Sequence, residues 1–143
     1  MIGDRMDIKK TSQFDLYIFT LHILGIESLL IPQNSNKRWV YGTIINRAYY
    51  ASYLFCELWL DKVHKFKPIH PNSFPKGKKK MGEHKQVRDA LDNFGETTIK
   101  NKLAKLAKLR KDADYKPDKK IKEKDMKKAI KHMEFIFNNL KFK

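Results

Sequence analysis

The stretch from Ile99 to Tyr115, IKNKLAKLAKLRKDADY, decides the fold class, because its apolar residues recur in steps of three and four. That spacing predicts an amphipathic helix with one face turned toward a core. The stripe comprises Ile99, Leu103, Leu106, Ala107, Arg110, Ala113 and Asp114. Arginine is seldom buried unless it is paired, and a carboxylate four residues further along a helix is within its reach. The sequence therefore predicts that Arg110 points inward and pairs with Asp114.

Similar periodicity extends outward from this helix over most of the chain. We predict helices over residues 12–30, 36–64, 82–94, 96–115 and 122–141, and a loop over residues 65–81. Pro68, Pro71 and Pro75 prevent that loop from continuing a helix. Five helices in 143 residues predict an all-α fold, an up-and-down bundle that forms one domain over residues 1–143.

Composition and motifs exclude several classes of function. The single cysteine, Cys56, excludes an intrachain disulfide and offers no cluster of metal ligands. The sequence has no glycine-rich phosphate loop, no His-Glu-x-x-His and no Gly-x-Ser-x-Gly pattern. The amino terminus does not resemble a secretory signal, and Asp15, His22 and Glu27 interrupt the apolar run over residues 14–31. We therefore expect a cytoplasmic protein with no membrane span, metal or cofactor.

The charge balance indicates a polyanionic partner. Thirty-one lysines and arginines against 16 acidic residues give a formal net charge of +15. Such a surplus raises the local concentration of anions and favours nucleic acid, although a lysine-rich face is also typical of a solvated surface. The lysines that we assign to nucleic-acid binding are Lys78, Lys79 and Lys80 in the loop and Lys105 and Lys108 on the fourth helix.

Three basic side chains interrupt the apolar stripes of three predicted helices. They are Arg47 on the second helix, His84 on the third and Arg110 on the fourth. If these faces meet, one polar cluster forms, with Tyr49, Tyr50 or Tyr115 at its edge. One interpretation is a satisfied polar network that fixes the helix register. The other is an anion site in which Arg47 and Arg110 bind phosphate or base and His84 transfers a proton.

Three short motifs resemble those of small HEPN domains (higher eukaryotes and prokaryotes nucleotide-binding). They are Asn46-Arg47-Ala48-Tyr49-Tyr50-Ala51, Gly82-Glu83-His84-Lys85-Gln86-Val87 and Leu109-Arg110-Lys111-Asp112-Ala113-Asp114-Tyr115. With the closing amphipathic helix, the resemblance covers residues 15–140. It implies an all-α bundle that often forms a homodimer and occurs in prokaryotic toxin–antitoxin or defence systems, frequently beside a minimal nucleotidyltransferase. Many members are metal-independent endoribonucleases.

The chain departs from the ribonuclease motif of that family, in which an arginine is followed after four to six residues by a histidine. After Arg110 those positions hold Tyr115, Lys116 and Pro117. Tyrosine is a poor general base at neutral pH, because a phenol ordinarily has a pKa of about 10. The resemblance therefore leaves Arg110 as an anion ligand but supplies no standard catalytic pair.

Three hypotheses about function follow. The leading one is a HEPN-like RNA- or nucleotide-binding protein of a toxin–antitoxin or defence module, with weak or absent nuclease activity. The second is an endoribonuclease that uses Arg110 together with His84 or Tyr115 as catalytic residues. The third is a non-enzymatic subunit that docks a nucleotidyltransferase or an antitoxin.

Overall fold

A computed structural model describes residues 14–22 and 37–142 of the chain, and the helices there pack around one core. Residues 14–22 form helix α1. The other helices are α2 (Arg38–His64), α3 (Glu83–Asn93), α4 (Thr97–Tyr115) and α5 (Glu123–Asn139). No β-strand occurs in the two described ranges, so the predicted all-α bundle is confirmed.

The predicted bounds of the last four helices differ from the observed ones by two residues at most. The first helix was predicted over residues 12–30, and only its 14–22 portion lies within the described residues, where it is helical. The predicted loop contains one short 3-10 turn, Pro71–Ser73. Among the described helices, none has the length and apolar character needed to cross a bilayer.

Local signals explain where the helices end. Lys65 closes α2 in the left-handed region, with φ of 54°, and its N–H bonds to the Asp61 carbonyl. Gly95 has φ of 85° between α3 and α4, a conformation that costs glycine little because it has no Cβ. The carboxylate of Asp125 accepts a 2.9 Å hydrogen bond from the Lys122 N–H, which satisfies a backbone donor at the start of α5.

Helix α2 lies at the centre of the bundle and contacts α3, α4 and α5. Its fully buried residues include Ile44, Ala48 and Phe55. The approach of α2 to α4 is close near the carboxyl end of α4, where a Cβ added to Gly42 would lie 3.5 Å from the Cβ of Ala113. Small residues at this crossing bring neighbouring side chains of the two helices within contact distance, among them Asn46 with Asp114 and Tyr50 with Arg110.

Arg38 fastens the carboxyl end of α4 to the start of α2. Its guanidinium donates hydrogen bonds to four carbonyl oxygens, at 2.7 Å for Lys116, 2.9 Å for Lys119, 3.3 Å for Ala113 and 3.4 Å for Asp112. The last carbonyls of a helix lack partners within the helix and carry partial negative charge. A single cation therefore satisfies the end of α4 and fixes its position against α2.

Asp112 is a buried acid in the same region. Its side chain is 6% exposed, and it pairs with the ammonium groups of Lys116 at 3.0 Å and Lys119 at 2.5 Å. The hydrogen bond from Lys119 lowers the pKa of this carboxyl, and the bond from Lys116 adds to the effect, against the opposing influence of burial. The ionised carboxylate thus ties the residues after α4 back onto the helix.

Replacing Arg38 by alanine should lower the free energy of unfolding by about 1–3 kcal/mol, because two half-buried and two exposed carbonyl oxygens lose a charged donor. Arg38→Lys should recover only part of the loss, since an ammonium cannot reproduce the planar fork. Urea denaturation measures both, with Lys62→Ala as a control that removes an exposed charge elsewhere on α2. A loss for Arg38→Ala no larger than that of the control would contradict the assignment.

Candidate anion-binding site

The guanidinium of Arg110 lies among three tyrosine rings. Its Cζ is 5.1 Å from the ring centre of Tyr49, 5.5 Å from that of Tyr50 and 5.4 Å from that of Tyr115. A cation within about 6 Å of a ring centre is attracted by the negative face of the ring. The Arg110 side chain is 12% exposed, so the tyrosines replace most of the water around it. We call these four residues the tyrosine cage.

The Arg110 guanidinium donates few hydrogen bonds, and they are long. Nη1 lies 3.4 Å from the Tyr50 hydroxyl, 3.5 Å from that of Tyr115 and 3.6 Å from Oδ2 of Asp114. Nε is buried and has no hydrogen-bond partner among the described residues. An unmet buried donor costs about 1–3 kcal/mol, so the cage holds a cation whose donors are only partly used.

Asp114 is positioned by Asn46 on α2. The Nδ2 group of Asn46 donates a 2.9 Å hydrogen bond to Oδ2 of Asp114, the same oxygen that lies nearest Arg110. The Asp114 side chain is 27% exposed, which leaves the ion pair open to solvent on one side. Asn46 belongs to the motif Asn46-Arg47-Ala48-Tyr49-Tyr50-Ala51, and nothing in that motif indicates that its partner lies 68 residues away.

His84 enters the cluster from α3 and is held by two tyrosines. Its ring stacks on Tyr53, with centroids 4.1 Å apart and planes 8° apart, and its Nδ1 is hydrogen-bonded to the hydroxyl of Tyr49. Burial lowers the pKa of His84, and the nearby Arg110 and Arg88 lower it further. The imidazole is therefore neutral at neutral pH.

Tyr49 is a protonated phenol at neutral pH. Burial raises the pKa of Tyr49 to about 12, although Arg88 and Arg110 act in the opposite direction. Tyr49 thus keeps its proton at neutral pH, and we assign the donor role to its O–H, which corresponds to the Nε2–H tautomer of His84. The rings of Tyr49 and Tyr50 each contact both His84 and Arg110. The structure thus brings His84 and Arg110, two of the predicted site residues, together at one pair of rings.

Arg47 does not join the cage, and the predicted inward direction of its side chain is wrong. The residue is exposed and lines a shallow depression with Trp39, Asn46 and Asp114. Three helices pack against α2 and bury most of its surface, so only a narrow stripe of the helix faces solvent. Trp39, Thr43 and Arg47 occupy that stripe at intervals of four residues, and all three are exposed.

The remaining predicted residues lie on the surface in separate places. Lys78, Lys79 and Lys80 are exposed in the loop before α3. Lys105 and Lys108 are exposed on α4 and line a cavity between α4 and α5, which does not include Arg110. Tyr115, the last residue of α4, is 68% exposed although its ring also covers Arg110.

Within the described ranges, no group of three or more histidine, cysteine, aspartate and glutamate residues is arranged to hold a metal ion. Cys56 is completely buried, and burial raises the pKa of its thiol, which keeps it protonated. The chemistry available at the tyrosine cage is that of a guanidinium, phenols, a neutral imidazole and one partly exposed carboxylate.

We expect NMR titration to give His84 a pKa below the ordinary value of about 6.5. The unfolded chain then binds a proton more readily than the folded protein does. The stability contributed by His84 is therefore complete above a pH of about 6.5 and is lost as the pH falls through the folded pKa. With Tyr49 assigned as the donor, the pKa of His84 should rise in Tyr49→Phe, since the hydrogen bond that stabilises the neutral imidazole is gone. An unchanged His84 pKa in that variant would contradict the hydrogen-bond assignment.

Comparison with known proteins supplies no relative for this chain. No protein-family model, no curated protein and no solved structure matches it. The resemblance to HEPN domains therefore stays a prediction that rests on three short motifs, and any functional conclusion has to come from the chemistry of the tyrosine cage and its surroundings.

Proposed function

We propose that this protein binds RNA or nucleotides through Arg110, with weak or absent nuclease activity, as a HEPN-like member of a prokaryotic toxin–antitoxin or defence module. The observation that carries the proposal is the partly unsatisfied guanidinium in the tyrosine cage, on a chain with a net charge of +15. The module assignment follows from the motif resemblance alone.

Arg110 remains a cation under all ordinary conditions. Burial lowers the pKa of its guanidinium, but the hydrogen bond with Tyr115 and the neighbouring hydroxyls of Tyr50 and Tyr49 outweigh that effect and raise the pKa above its usual value. A guanidinium presents several donors in a fixed plane and matches the oxygens of a phosphate. The one carboxylate nearby, Asp114, is 3.6 Å away, which leaves room for a competing anion.

Exposed aromatic rings flank the site and suit single-stranded RNA. Trp39 is 66% exposed and lines the depression that reaches Asp114, while Tyr115 is 68% exposed at the end of α4. Exposed rings beside cations allow bases to stack while their phosphates are neutralised, an arrangement that tolerates many sequences. Arg47 and Arg38 also line this depression, and Asp114, the ion-pair partner of Arg110, lies at its edge with the cage.

The contacts of His84 favour binding over cleavage. A general base must reach the hydroxyl from which it removes a proton. The Nδ1 atom of His84 already accepts the Tyr49 proton, and the ring is stacked on Tyr53. Turning the imidazole toward an RNA at Arg110 would break both contacts.

We expect Arg110→Ala to weaken the binding of a fluorescein-labelled single-stranded RNA by about tenfold, the loss of one charged contact. The log-log dependence of affinity on salt should become shallower by about 0.7, which is the contribution of one phosphate on a single strand. Fluorescence anisotropy over a salt series measures both quantities, and Arg110→Lys should lie between wild type and alanine.

Lys62→Ala serves as the control, because Lys62 is an exposed cation in the last turn of α2 and its replacement removes the same charge. If Arg110→Ala and Lys62→Ala weaken RNA binding equally, only net charge matters and the cage is not the binding site. Circular dichroism verifies that each variant retains its helices.

Cleavage is tested separately with the same RNA in the presence of a chelator. We expect the wild type to degrade it no faster than His84→Ala, because the imidazole is held by Tyr49 and Tyr53. Metal-free cleavage by the wild type that both His84→Ala and Arg110→Ala abolish would show that the ribonuclease hypothesis is correct instead.

A further inference from the structure

A second basic cavity lies between α4 and α5 and does not contain Arg110. Its volume is about 490 Å³, within the range of about 300–1,000 Å³ that is usual for small-molecule sites. Its lining includes Lys105 and Lys108 from α4 and Lys128 and His132 from α5, together with the apolar side chains of Leu109 and Ile121. We call this space the lysine cavity.

The lysine cavity occupies a different face of α4 from the tyrosine cage. Lys105, Lys108, Leu109 and Asp112 follow one another at helical intervals and share a face. Arg110 comes one residue after Leu109, and one residue corresponds to a rotation of roughly 100° around the helix. A ligand in the lysine cavity would therefore approach α4 from another side than RNA at Arg110.

The two carboxylates that line the lysine cavity are already engaged. Asp112 pairs with Lys116 at 3.0 Å and with Lys119 at 2.5 Å. Asp125 accepts the hydrogen bond from the backbone of Lys122. Neither acid forms an ion pair with Lys105, Lys108 or Lys128.

Three lysines that line this cavity have no ion-pair partner among the described residues. Within the part of the chain that the structure describes, the ion pairs include none formed by Lys105, Lys108 or Lys128. His132 lies among them and is half-buried. Burial lowers the pKa of His132, and Lys102, Lys105 and Lys128 lower it further, as expected where positive potential converges.

We infer that the lysine cavity is a binding site for a small compound with an oligophosphate chain, separate from the RNA site proposed at Arg110. Three lysines without an ion-pair partner among the described residues line one space, which favours an anion with several negative oxygens, and lysine binds phosphate as a point charge. Leu109 and Ile121 offer an apolar surface for the uncharged part of such a compound. Because the two sites share no residue, either proposal can fail without the other.

The test uses inorganic tripolyphosphate as the probe and the full chain at constant ionic strength. The cavity variant is Lys105→Gln/Lys108→Gln/Lys128→Gln. The matched control is Lys62→Gln/Lys76→Gln/Lys141→Gln, which removes the same charge from exposed positions outside the cavity. Calorimetric titration should show that the cavity variant loses at least about tenfold in affinity and the control less than about twofold, since screened charges at a distance contribute little.

NMR of the wild type provides a second measurement that needs no variant. A bound anion favours the imidazolium form, so tripolyphosphate should raise the pKa of His132, while at constant pH the ring signals of the loop histidine His70 should not move. Equal losses of affinity in the two triple variants, absence of binding by the wild type, or a His132 titration that tripolyphosphate leaves unaltered would each overturn the inference.

Discussion

A cation placed where helices α2 and α4 meet constrains the whole arrangement around it. The guanidinium of Arg110 has lost most of its water, and the rings of Tyr49, Tyr50 and Tyr115 compensate for that loss only in part. For those rings to reach it, α2 and α4 must approach closely, which Gly42 opposite Ala113 permits. Tyr49 extends the same arrangement to α3 through its hydrogen bond to His84. One charge thus connects helices α2, α3 and α4.

Helix α4 separates two kinds of electrostatic environment. On one face of α4 the delocalised guanidinium of Arg110 lies among aromatic rings. On another face, lysines line the lysine cavity between α4 and α5. The first environment suits a planar anion combined with a stacking base, and the second suits a multiply charged phosphate chain. The carboxyl end of α4 is held by Arg38 and by the ion pairs of Asp112, which keeps both faces in fixed orientation.

Much of the fold could be predicted because helical periodicity and proline positions are local signals. The inward direction of Arg110 follows from the same signal, since its stripe is otherwise apolar. Contacts between distant residues could not be predicted in this way: Asn46 meets Asp114 across 68 positions, and Arg38 reaches carbonyls 74 to 81 positions away. The exposure of Arg47 could not be predicted from its apolar neighbours. Three helices pack against α2 and bury more of its surface than a single apolar stripe, so apolar residues next to Arg47 do not show which side of the helix faces solvent.

The central claim is that Arg110 contacts RNA directly rather than serving only as a packed cation. The most direct measurement is the NMR signal of its Nε–H group, which is buried and has no partner among the described residues. If Arg110 contacts RNA, saturating single-stranded RNA shifts this signal, because a phosphate beside the guanidinium changes the field at Nε. An unchanged Nε–H signal, under conditions where backbone signals elsewhere show that RNA is bound, would contradict direct contact between Arg110 and RNA.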